Sequence, residues 1–297
     1  MAGGAEVHYA VKKSFLPVLR ANPNIDKIHV LDGDLKSLLA ELQSENFDYI
    51  ADLHRNLRSR YLRMRLRVPS RAFPKLNIRK WILTTFKINL MPGIHIVDRY
   101  FRAVAPLGIK NDGKGLDYFI PPEEEVRMAS LPEKFREGYV AFAIGARHNT
   151  KKLPEHKIIS ICKKLDLPVI LLGGPEDADL AGRIATACGP QVISMCGKAS
   201  LNGSASLVRQ ARHVITHDTG LMHMAAAFRK ETVSVWGNTV PALGMFPYMP
   251  GDELKSKIVE VKGLWCRPCS KLGYDKCPLG HFRCMEEIDE SSVGGRR

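Results

Sequence analysis

From Gly138 onward the chain alternates short, largely apolar runs with longer segments whose apolar residues recur every three to four positions. YVAFAI (139–144), LPVILL (167–172), QVIS (191–194), HVIT (213–216) and ETVSVW (231–236) read as strands covered on both faces. Between them, PEHKIISICKKL (154–165), PEDADLAGRIATAC (175–188), SASLVRQA (204–211) and GLMHMAAAF (220–228) carry the helical period. Strand and helix in alternation predict a parallel sheet with helices on both sides, a Rossmann-like domain. The first half is less regular. AEVHYAV (5–11), KIHVL (27–31) and FDYIADL (47–53) read as strands separated by helical pieces. The spacing of Leu57, Tyr61, Met64 and Val68 predicts the buried stripe of the helix that follows the third.

A chain of 297 residues exceeds the size at which one core keeps growing, so two domains are expected. A segment holding Pro121, Pro122 and Glu123 to Glu125 reads as the connector, with the boundary near residue 136. No run approaches the roughly 18 uninterrupted apolar residues that span a bilayer, and MAGGAEVHYAVKK lacks the apolar region of a signal peptide. The expected compartment is the cytoplasm. Cys162, Cys188 and Cys196 sit singly in apolar segments, where cysteine behaves as a small hydrophobe.

Charge changes this picture because it is unevenly placed. The net charge is +13, and no acid lies between Asp52 and Asp98, while Arg55, Arg58, Arg60, Arg63, Arg65, Arg67, Arg71, Lys75, Arg79, Lys80 and Lys87 fall inside. An ordinary solvated helix face mixes signs for i,i+4 pairing. A single-sign field favours an anionic partner: nucleic acid, a phosphorylated small molecule or an anionic membrane leaflet.

In open α/β sheets, ligands bind beyond the carboxyl ends of strands, where helix N-termini present free N–H groups. Three polar clusters fall at such ends: Gly145 to Lys152, Gly173 to Asp177, and His217 to Gly220 with His223 one helical turn on. Taken singly, the glycines can simply make turns, Asp218 can cap a helix and Lys151 can be solvated. Together, glycines, helix starts and a lysine suit a diphosphate.

The order of DTGLMHMAAAF (218–228), WGNT (236–239), TKKLP (150–154) and LGGPED (172–177), with ADLHRNLRSRYL (51–62) and HIVDRYFRAVAPLGI (95–109), resembles the bacterial heptosyltransferases of glycosyltransferase family 9. The resemblance spans nearly the whole chain. It implies an α/β fold of GT-B architecture, two Rossmann-like domains facing across a cleft. Residues 1–136 would form an incomplete acceptor-binding domain, and 137–297 the sugar-nucleotide-binding domain with a C-terminal four-cysteine segment. It further implies an inverting, metal-independent transfer of heptose from ADP-heptose to the lipopolysaccharide inner core. Lys151 would stabilise the departing diphosphate. Thr150, Lys151, Asp177, Asp218, Thr219, Gly220 and His223 would bind the donor, with Glu176 an alternative to Asp177 at the ribose. Arg55, Asn56 and Arg58 would meet a lipid-anchored anionic saccharide, placing the protein peripherally at the inner face of the cytoplasmic membrane. Family members open with a strand and a glycine loop bearing an aspartate proposed as general base. The resemblance puts these before residue 1 and a packing helix after ESSVGGRR, so a chain truncated at the N-terminus and short at the C-terminus, without its base, is expected.

Two other features bear on metals. Asp32-Gly33-Asp34 and Asp177-Ala178-Asp179 fit the aspartate pair of metal-dependent transferases, but the first reads as a turn and the second as a helix start, where acids are favoured. Cys266, Cys269, Cys277 and Cys284 form a C-x2-C-x7-C-x6-C cluster. It is expected to converge, with a structural zinc favoured over two disulfides, a reduced, metal-free cluster as the third alternative, and His281 as a spare ligand.

Alternative functions are a sugar-nucleotide epimerase of the same fold and a non-catalytic nucleotide-sugar-binding or nucleic-acid-binding protein. The last lacks a recognisable module, and its basic run has few aromatics for stacking.

Overall fold

The computed structural model describes residues 4–294. The chain divides into two compact units, one made of Met1–Leu76 and Ile94–Lys114, the other of Asn77–Gly93 and Gly115–Arg297.

In the first unit β1 (His8–Lys12) pairs in parallel with β2 (Lys27–Leu31), and β3 (Ile50–Asp52) with β4 (Ser70–Ala72). The helix Leu35–Ser44 buries Leu38, Leu39 and Leu42. Asp34 caps it by accepting from the amides of Lys36 and Ser37, and Asp32 pairs with Lys13, so Asp32-Gly33-Asp34 is a turn and a cap.

The helix Leu57–Leu66 corrects the sequence reading. Leu57 is 84% exposed, Tyr61 and Met64 are exposed as well, and the helix stops before Val68. The side turned inward is Ser59, Leu62, Arg63 and Leu66, spaced as one helical face. Asp52 explains the choice. Its buried carboxylate accepts from the Ser59 hydroxyl at 3.0 Å and faces Arg63 Nε at 3.5 Å. Polar anchoring, rather than an apolar stripe, orients this helix.

The second unit is built on a six-stranded, all-parallel sheet. Its strands are β5 (Val140–Ala143), β6 (Val169–Leu172), β7 (Val192–Ser194), β8 (His213–His217), β9 (Glu231–Trp236) and β10 (Ser256–Glu260), in the order β10-β9-β8-β5-β6-β7. Every residue of β5 and β6 is buried. Val140, Phe142, Val169 and Leu171 enter one core, while Tyr139, Ala141, Ile170 and Leu172 enter the other. That period of two, with both faces covered, is why these strands read as unbroken apolar runs. The helix Leu201–Gln210 starts three residues ahead of the sequence reading because Ser200 caps it, accepting from Gly203 N at 3.0 Å. Pro175–Asp177 forms a 3-10 turn ahead of the helix Ala178–Cys188. The acidic segment before the sheet, read from sequence as a connector, belongs to the second unit and is hydrogen-bonded within it: Glu124 accepts from Asn202 at 2.8 Å, and Arg209 reaches Glu125 at 2.6 Å. No helix among the described residues is long and apolar enough to cross a membrane.

Candidate active site

The polar clusters of the second unit gather at the carboxyl edge of its sheet. β5 runs into a loop and then the 3-10 turn Asn149–Lys151. Thr150 is buried, and its hydroxyl accepts from Tyr274 N at 2.8 Å and donates to Tyr274 O at 3.0 Å. That exchange occupies Thr150 and fixes the neighbouring Lys151, whose Nζ lies 2.7 Å from Asp218 Oδ2.

Asp218 follows β8 and precedes the helix Gly220–Ala227. Thr219 holds the N-cap position without a side-chain cap, and Gly220 has open space where a side chain would stand. The first-turn amides therefore lie uncapped beside an ammonium group, the arrangement that receives a phosphate oxygen. Burial lowers the pKa of His223 in the same helix, with Lys151 assisting and Asp218 opposing. His223 accordingly sits in the field of the same ion pair.

Asp177 occupies a different position. It is 2% exposed, and it accepts from Lys152 Nζ at 2.7 Å and from Gly174 N at 3.0 Å. A Cβ on Gly145 would stand 2.2 Å from its Oδ2, so the β5 loop must carry glycine to pass over it. Asp177 thereby ties the β5 and β6 loops together, and Glu176, exposed beside it, is the acid turned to solvent.

The fourth wall comes from residues that sequence reasoning left without a role. Gly237 to Thr239 follow β9, and Thr239 donates to Asp218 Oδ2 at 3.0 Å. Arg267 holds that turn through the carbonyls of Gly237, Trp236 and Thr239, while pairing with Glu260 at 2.9 Å. Gly237 is required there because a Cβ would meet Met285 Cε at 2.6 Å and Thr150 O at 2.7 Å. His217, wholly buried, accepts from Leu153 N at 3.0 Å. Burial, aided by nearby Lys152, lowers its pKa to about 3. Arg267 lies 28 to 31 residues from the three carbonyls of that turn, a separation that no local sequence pattern signals.

Arg55, Asn56 and Arg58 belong to the first unit. Asn56 caps the helix Leu57–Leu66 in a reciprocal box with Ser59. The amide of Arg55 donates to Asp52 Oδ1 at 2.7 Å, and Arg58 is exposed. Of the basic run, Arg79, Lys80 and Lys87 fall in the second unit.

All seven cysteines are free thiols. Cys266, Cys269, Cys277 and Cys284 lie within one another's electrostatic reach, and Cys266 Sγ is 3.8 Å from His281 Nε2. Among the described residues, the three potential ligands whose atoms all lie within 4.8 Å of one another are His8, His29 and Glu45. The four sulfurs are thus gathered without closing to the spacing of a metal cage.

The fold is shared with known proteins. Lipopolysaccharide heptosyltransferase 1 of Escherichia coli K12 is 26% identical over 222 residues, covering 72% of this chain and 68% of that protein. The structure of E. coli ADP-heptose lipopolysaccharide heptosyltransferase II superposes with a TM-score of 0.69 at 18% identity, over 96% of this chain and 89% of the other. E. coli heptosyltransferase WaaC with ADP gives a TM-score of 0.65 at 21% identity, over 86% and 84%. These likenesses establish the fold, an α/β architecture shared with the heptosyltransferases. The model of glycosyltransferase family 9 (heptosyltransferase) matches residues 35–273. The chain therefore belongs to glycosyltransferase family 9 and is a glycosyltransferase.

Proposed function

We propose that this protein transfers heptose from ADP-heptose to the inner core of lipopolysaccharide. The observation that carries the reading is the Lys151–Asp218 pair, 2.7 Å apart, at the uncapped start of the helix Gly220–Ala227. In the transfer, the bond from the sugar C1 to the diphosphate oxygen breaks as the acceptor hydroxyl oxygen bonds to C1, and that hydroxyl passes its proton to solvent water. The electron pair leaves with ADP. Lys151 and the amides of Thr219 and Gly220 stabilise that growing charge, which is where fixed donors contribute most. Asp218 and His223 face the donor sugar, and Glu176 takes the ribose hydroxyls in preference to the engaged Asp177. A screen of ADP-, GDP- and UDP-sugars by calorimetry tests the reading. Binding led by the adenosine compounds is expected, and preference for uridine or guanosine compounds would contradict it.

The acceptor side of the proposal rests on charge. Arg55, Asn56 and Arg58 receive the anionic, lipid-anchored saccharide, and no metal takes part in the chemistry. The helix Asn77–Phe86 and the residues after it expose Ile78, Trp81, Phe86, Ile88 and Leu90 beside Arg79, Lys80 and Lys87. Aromatic and aliphatic side chains interleaved with cations suit the interface of an anionic leaflet. This supports a protein working peripherally at the cytoplasmic membrane face. Sedimentation with anionic but not neutral vesicles is the expected result, and equal partition between the two would remove the membrane from the account.

A structural zinc at Cys266, Cys269, Cys277 and Cys284 belongs to the same proposal. Burial pushes the Cys284 thiol up to about 12 and raises Cys269 as well. Thiolates there need a bound cation to stabilise them. Stoichiometric zinc lost on replacing the cysteines with serine is expected, and zinc-free protein of unchanged stability would rule the site out.

A further inference from the structure

The first unit contains a second cluster, apart from the residues proposed to bind donor and acceptor. β1 and β2 pair with Ala10 opposite His29, and His8, two residues before Ala10, shares its face. The two histidine rings therefore lie diagonally on one side of the ladder, with His8 Nδ1 2.9 Å from His29 Nε2. Each outer nitrogen meets a carboxylate: His8 Nε2 lies 2.8 Å from Glu6 Oε1, and His29 Nδ1 lies 2.6 Å from Glu41 Oε1.

Hydrogen-bond counting then fixes the tautomers. A nitrogen beside a carboxylate donates, so the outer nitrogens carry the protons and the two inner nitrogens present lone pairs to each other. Two lone pairs at 2.9 Å repel unless a cation lies between them, either a shared proton or a metal ion. A third donor is at hand. Glu45, the C-cap of the helix Leu35–Ser44, has a carboxylate oxygen within 4.8 Å of both histidine ligand atoms. Lys27 hydrogen-bonds to Glu45. The carbonyl end of the helix adds negative potential at the same point. Phe47 sets its ring edge-on to both imidazoles, 5.2 and 6.2 Å between centroids, which restricts their rotation.

We propose that His8, His29 and Glu45 bind a divalent transition-metal ion of the zinc class, with Glu6 and Glu41 as the outer carboxylates that orient the rings. Imidazole with one carboxylate suits zinc, cobalt or nickel rather than calcium or magnesium. Carboxylate-bound outer nitrogens are the usual second layer around metal-ligating histidine. Two nitrogens at roughly 2.0–2.1 Å from a tetrahedral ion stand about 3.3 Å apart, so a small opening of the present pair accommodates one. The ion would staple β1, β2 and the end of the helix Leu35–Ser44. This part of the molecule has a small core: among the described residues its buried hydrophobic side chains are Leu38, Leu39, Leu42, Phe73 and Ala103, against the extensive double core of the second unit.

Cobalt(II) titration of the full chain, followed by visible absorption, tests the site. Cobalt on nitrogen and oxygen gives visible d–d bands without the near-ultraviolet sulfur-to-cobalt band that the cysteines would produce, so the two sets are distinguishable. One equivalent of the nitrogen–oxygen type, displaced by zinc, is expected. His29 is fully buried, so the variants are His8→Asn and Glu45→Gln at the edge of the cluster, with folding checked by circular dichroism. Each should weaken cobalt binding roughly tenfold or more and abolish any rise in the unfolding midpoint that zinc gives the parent. Absence of the nitrogen–oxygen signal, or equal affinity in both variants, would overturn the proposal and leave the histidines sharing a proton.

Discussion

Lys151 Nζ and Asp218 Oδ2 stand 2.7 Å apart, with both side chains largely buried. The ammonium proposed to meet the donor diphosphate is thus already paired, and Asp218 is held from its other side by Thr239. An incoming diphosphate shares Lys151 with a carboxylate. Asp218→Asn keeps the acceptor for Thr239 and removes the charge. Two like charges about 4 Å apart repel by about 1 kcal/mol even at the dielectric of bulk water, so ADP binding should tighten by roughly fivefold or more at low salt. Calorimetry reads this, and weakened binding would mean that holding Lys151 in place outweighs the charge.

His217 links the site to pH. Its folded-state pKa is about 3, lowered chiefly by burial, against about 6.5 in an unfolded chain. Between those values the unfolded state binds the proton and the folded state does not. Its contribution is therefore complete above about pH 6.5 and falls away as the pH drops toward 3, by up to about 1.4 kcal/mol per pH unit. Burial lowers His213 and His223 in the same direction. Urea denaturation from pH 7 to 4 should show stability falling, and His217→Gln should flatten that slope by up to one proton.

Arg267 should matter as much for the turn it holds as for its charge. Its guanidinium satisfies the carbonyls of Trp236, Gly237, Thr239 and Val261. Arg267→Met fills the space and leaves those carbonyls without their donor. Each unsatisfied buried group costs about 1–3 kcal/mol, so a loss of several kcal/mol in denaturant unfolding is expected. A change under 1 kcal/mol would show that water replaces the guanidinium freely.

Arg58 is exposed on a helix whose inward face does not include it. Arg58→Glu together with Arg55→Glu should remove acceptor use while leaving ADP affinity unchanged, because the proposed donor residues all lie in the other unit. Parallel transfer and binding assays check this. Equal loss of both would place the anion site elsewhere.

The second unit was legible because its strands are buried on both faces. Val140 to Ala143 and Val169 to Leu172 carry no polar face to confuse the period. The helix Leu57–Leu66 was misread because its inward face is chosen by Asp52 through Ser59 and Arg63, and a polar anchor leaves no mark in a hydrophobic pattern. The site was legible as loops at one sheet edge but not as contacts. Thr150 and Asp177 stand in loops at that edge, yet their polar atoms hold Tyr274, Lys152 and Gly174. Thr239 and Arg267 entered only through pairings across 21 or more residues.

Titrating ADP into the parent protein and into Lys151→Ala in a calorimeter asks whether Lys151 and the start of the helix Gly220–Ala227 hold the donor diphosphate. A charge-assisted hydrogen bond is worth about 1.5–3 kcal/mol, so affinity should fall roughly ten- to a hundredfold. Equal affinity in the two proteins would contradict the account.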